Sequence, residues 1–202
     1  MTRSEELGAR TAQLCLPRKI AFTGAACVRA RNVFALCHGV TPLAVYEDAL
    51  AALWDALRRD DQPGIAAIFK PLTEAVEASC NDTLSPLWVA WLALATFEFP
   101  SRLVSTRLPD VVMTQCSGLM LTLAGDLDDR LGWSGAPHEG RLARAEWAAQ
   151  EECLSILAAA PDDPQIPVDE LLAAGAEVAR LIVEAAGPLA EATGWKLHQP
   201  PD

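Results

Sequence analysis

The sequence predicts an all-α protein, an antiparallel bundle of about seven helices around a buried hydrophobic central helix. Three observations carry this expectation. Ala and Leu dominate the 202 residues while Ile, Val, Thr and Tyr are sparse, a balance that favours helix over strand. Apolar residues recur at spacings of three and four along several stretches, the period of an amphipathic helix. Proline is placed in an orderly way: Thr41-Pro42, Ser85-Pro86 and Ile166-Pro167 each stand just ahead of such a stretch. There proline suits the first helical position, and Thr or Ser can accept a bond from an orphan backbone N–H.

Residues 1–17 read as a polar N-terminal arm, 18–195 as one all-α domain and 196–202 as a C-terminal tail. A first helix is expected over Arg18 to Leu36. The second, Pro42 to Arg59, puts Leu43, Tyr46, Leu50, Leu53 and Leu57 on one stripe, with Glu47, Asp48, Asp55 and Arg58 opposite. Asp60 to Gly64 ends it, and a third helical region runs from Ile65 to Cys80, broken near Pro71. Ser85 to Phe99 differs in kind. Leu87, Trp88, Val89, Trp91, Leu92, Leu94 and Phe97 leave almost no polar face, so this stretch is expected to be the central helix, closed by Pro100. A fifth helix begins near Pro109 and reaches the acidic run at Gly125; Gly132 to Gly140 is loop. The sixth helix covers Arg141 to Ala160. The seventh, Pro167 to Ala186, is bent or ended by Gly187-Pro188.

The formal net charge is −11, unevenly placed: residues 1–59 hold eight Lys/Arg against five Asp/Glu, and residues 60–202 hold eight against twenty-two. Such a balance argues against nucleic-acid binding through phosphate neutralisation and against anionic membranes, and it favours a basic partner. Six widely spaced cysteines without a C-x-x-C pair, and no N-terminal signal pattern, point to a reducing cytoplasm. The longest apolar run, Leu87 to Phe97, is short for a bilayer span.

Ala21-Phe22, then Cys27-Val28-Arg29, Asn32 and Phe34, then Ala49-Leu50, Leu53-Trp54-Asp55 and Leu57 follow an order that resembles the YjaG-like family of small bacterial helical proteins of unknown function. The resemblance covers about the first 60 residues. Val28 stands where that family usually has Glu, and Arg31 where it has Pro. It implies an all-α fold and no particular chemistry.

Two groups of residues are candidates for a site. Cys27 and Arg29, with Glu98 at the end of the apolar fourth helix, could line a pocket beside the central helix, since a nearby cation can activate a thiol. However, residues two apart on a helix face different sides. Asp126, Asp128 and Asp129, with Trp133 after them, form an acidic run near a helix C-terminus, where negative charge opposes the macrodipole and calls for a cation. Cys37-His38-Gly39 is explained by capping of the first helix. Glu139, Glu146, Glu151 and Glu152, beside Arg141 and Arg144, read as a solvated face. No paired ligand spacing is present, so no cofactor or metal is expected. Three functions remain open: an acidic interaction protein, such as an immunity-type inhibitor of a basic protein; a helical-bundle small-molecule-binding protein or enzyme; and a structural homo-oligomer.

Overall fold

The computed structural model describes residues 3–38, 40–70, 72, 84–133, 140–159 and 165–198, and no strand occurs among them. The all-α class stands, as does the arrangement of a bundle around a buried apolar helix. The helices, in chain order, are α1 (Arg3–Ala12), α2 (Leu16–His38), α3 (Val40–Arg58), α4 (Gln62–Ala67), α5 (Pro86–Ala95), α6 (Glu98–Ser105), α7 (Pro109–Leu131), α8 (Arg141–Ala159), α9 (Val168–Ala174) and α10 (Ala176–Thr193).

The central position belongs to α2, not to the tryptophan-rich stretch. Helix α2 packs against α3, α5, α6, α7, α8, α9 and α10, and Ala21, Phe22, Ala25, Ala26, Cys27, Ala30, Phe34 and Leu36 are almost fully buried. Its small residues let several helices approach at once, which a row of bulky side chains would prevent. By contrast, α5 buries Val89, Ala90, Ala93 and Leu94 but leaves Leu87 46% exposed. Two stretches, Leu16–Cys37 and Pro86–Ser105, are long and apolar enough to cross a membrane by length and composition alone. The first lies 89% buried inside the fold, as the core helix of a bundle should.

Local chemistry explains several element boundaries. Ser85 accepts a hydrogen bond from the Leu87 N–H at 3.2 Å, with Pro86 in the first helical position, so α5 starts as the sequence predicts. Asp61 caps α4 in the same way, accepting from Gly64 at 3.0 Å. The expected helix over Ser85 to Phe99 is instead two helices. Pro100 lies in the first turn of α6, where its missing N–H breaks no intrahelical bond. Helix α7 runs past Gly125 to Leu131 and ends at Gly132 with φ 64°, so the acidic run occupies its last two turns. Likewise α10 continues through Gly187-Pro188 to Thr193.

The two termini are corrections of a different sort. The segment read as a polar arm contains α1, which packs on α7 with Leu7 and Thr11 buried. Arg10 reaches Glu151 on α8 and donates to Ser155 at 3.1 Å. The segment read as a tail docks in part: the His198 N–H donates to Leu36 O at 2.9 Å. The region around Pro71 and Cys80, Gly39, the loop at 134–139 and the turn at 160–164 lie outside the described residues.

One long-range cap joins α7 to α8. Asp128 is fully buried, and its two oxygens accept from Leu142 N at 3.0 Å and Ala143 N at 2.8 Å. Gly140 is required beside it, because a Cβ there would overlap the Asp128 carboxylate. Asp128→Ala is therefore expected to cost about 1–2 kcal/mol, the range of a lost N-cap, and Gly140→Ala to destabilise by displacing the same carboxylate. Urea midpoints measure both; parental midpoints would contradict the cap.

Candidate functional site

The most polar place in the interior is built on Arg29. It lies on the face of α2 turned toward α8 and is 3% exposed. Its Nε donates to Glu146 Oε2 at 2.8 Å and its Nη2 to Glu146 Oε1 at 2.9 Å, the parallel fork that makes Arg–carboxylate pairs strong. Glu146 on α8 is fully buried. One turn further along, Gln150 donates from Nε2 to Glu146 Oε1 at 2.8 Å and accepts from Ser117 Oγ at 2.5 Å. The third Arg29 nitrogen, Nη1, faces Cys153 Sγ at 3.7 Å. A chain of polar groups thus crosses the core from α2 through α8 to α7.

Its electrostatics follow from burial and pairing. Burial works against the Arg29 charge, but the adjacent Glu146, by charge and hydrogen bonding, overcomes it and raises the guanidinium pKa. Arg29 is therefore held as a cation against Glu146. The cavity beside them, bounded by Val33, Met120, Leu127 and Ile182, is about 10 Å³, room for about one water. Gly175 closes the site from the α9–α10 junction: a Cβ there would come within 2.8 Å of Arg29 Cγ.

The thiols around this centre are protonated. Cys27 is pushed up to about 12 by burial, which outweighs the Thr96 hydrogen bond and the Arg29 charge. Cys37 is pushed up to about 12, again chiefly by burial, and burial raises Cys116 and Cys153 as well. Cys15 is exposed. On the Cys27 side of α2, Tyr46 donates to Cys27 O at 2.7 Å. Its ring stacks on Phe34 at 4.9 Å and meets Phe97 edge-on at 4.7 Å.

The structure does not bring the three pocket candidates together. Cys27 and Arg29 face opposite sides of α2, as their spacing requires. Glu98 sits in the first turn of α6, 45% exposed and 3.5 Å from Arg102. The acidic run divides as well. Asp126 pairs with Arg130 at 2.8 Å, and Arg130 lies over the Trp195 ring at 4.7 Å. Asp128 is the buried cap described above and cannot meet a partner. Asp129 is exposed. Trp133 is half-buried with Arg141 over its ring at 4.7 Å. At another place, Asp169 and Glu170 line a surface groove of about 460 Å³ with Arg58, Gln165 and Ile166. Among the described residues no three His, Cys, Asp or Glu side chains are placed to hold a metal ion.

Glu146 is the residue that the sequence reading misplaces, as part of a solvated face. The signal is present in the pattern: Leu142, Ala143, Ala149, Cys153, Leu154 and Leu157, all buried, share its side of the helix at offsets of three, four, seven, eight and eleven residues. A carboxylate on that stripe calls for a buried cation, and Arg29 sits in α2, the helix that the others surround. Glu139 lies outside the described residues.

Comparison of the chain with protein-family models, with curated proteins and with solved structures finds no match.

Removing one member of the central pair leaves the other charge buried and alone. Glu146→Ala is expected to destabilise by about 3–5 kcal/mol, whereas the double variant Arg29→Met with Glu146→Leu should recover most of that loss. Chemical denaturation of the three proteins checks this; equal losses in single and double variants would contradict it. The raised thiols set a second expectation. Groups whose folded pKa exceeds the unfolded value of 9.0 make stability fall as pH rises from about 9 toward about 12. The variant Cys27→Ala with Cys37→Ala should show a shallower alkaline loss in melting temperature than the parent.

Proposed function

We propose that this chain is a non-enzymatic interaction protein that binds a basic protein partner through its acidic exterior, in the manner of an immunity-type inhibitor in the cytoplasm. The observation that carries the reading is the charge: −11 overall, with twenty-two Asp/Glu against eight Lys/Arg over residues 60–202. Charge of one sign over a folded surface steers a partner of the other sign and speeds its association.

The way individual carboxylates are used supports the same reading. Glu146 and Asp128 are consumed inside the fold by Arg29 and by the α8 cap. Glu177 and Glu184 are neutralised by Arg180 and Arg141 on the surface. Asp48, Asp60, Glu152, Asp169, Glu170 and Glu191 are exposed, with no cationic side chain paired to them among the described residues. These are the groups that an incoming Lys or Arg can meet without first breaking a pair.

The test is association as a function of salt. Tagged chain isolated from its own cells in about 0.01 M salt is expected to hold a basic protein that leaves near 1 M, since the screening length falls from about 30 Å to about 3 Å over that range. The variant Asp169→Lys with Glu170→Lys should retain less of it. A partner held equally at both salt concentrations, or a chain that stays alone at low salt, would overturn the reading.

A further inference from the structure

No further inference is drawn: the strongest candidate, the apolar surface groove of about 350 Å³ between α3 and α4 lined by Val45, Ala49, Ala52, Ala67, Ile68 and Leu72, is an unpartnered face, and nothing in the structure shows what covers it.

Discussion

An arginine and a glutamate placed in the middle of a helical core constrain everything around them. Each is costly to bury alone, by several kcal/mol even after relaxation, so α2 and α8 must meet in the one register that joins Arg29 to Glu146. Gln150 and Ser117 then fix which way the carboxylate points and tie α7 into the same chain of bonds. The junction between α9 and α10 must pass close to the Arg29 stem, and Gly175 permits that approach. An all-leucine interface between these helices could slide by a turn; this one cannot without stranding a charge. Breaking the pair is therefore expected to cost more than replacing it whole.

The same logic extends to the uneven charge along the chain. The first 59 residues carry the positive excess and the remainder the negative, and the structure uses this difference as internal attachment. Arg10 on α1 meets Glu151, Lys19 on α2 meets Asp110, and Arg29 meets Glu146. Arg18, also buried, donates to the Leu157 carbonyl near the C-terminal end of α8, where a cation complements the helix dipole. Cations from the N-terminal helices therefore bind them to the acidic body. Because the acids outnumber the cations, a surplus remains outside, and the proposed function rests on that surplus.

Much of this fold was legible in the sequence because helical periodicity and proline placement are local signals. The stripe of Leu43, Tyr46, Leu50, Leu53 and Leu57 is buried as its spacing requires, and Ser85-Pro86 starts a helix. The central helix differs from the one the sequence predicts for a physical reason. Tryptophans and leucines make Ser85 to Phe99 the most hydrophobic stretch, but bulk keeps neighbours at a distance, while the alanines and glycine of α2 let them close in from all sides. The pairing of Arg29 with Glu146 was not legible, since it joins residues 117 apart. The signs that point to it are separate: an arginine in the middle of an apolar stretch of α2, and a carboxylate on the buried stripe of α8. Asp128 stands out in the sequence only as part of the acidic run; its capping role is not legible there, because a cap reaching across from another helix leaves no local motif.

Interior and exterior are thus separate in kind: charges inside satisfy each other and set the register, while the unpaired carboxylates outside are the ones the proposed function assigns to a partner. The claim that most directly supports this division is that Arg29 stays ionised, bonded and shielded in the folded protein. Amide and side-chain hydrogen exchange followed by NMR tests it at one atom. The account predicts that the Arg29 Nε–H resonance persists and exchanges only on the timescale of the most protected backbone amides in α2. Exchange as fast as that of exposed Arg59 would contradict it, and with it the view that one buried pair sets the packing of the bundle.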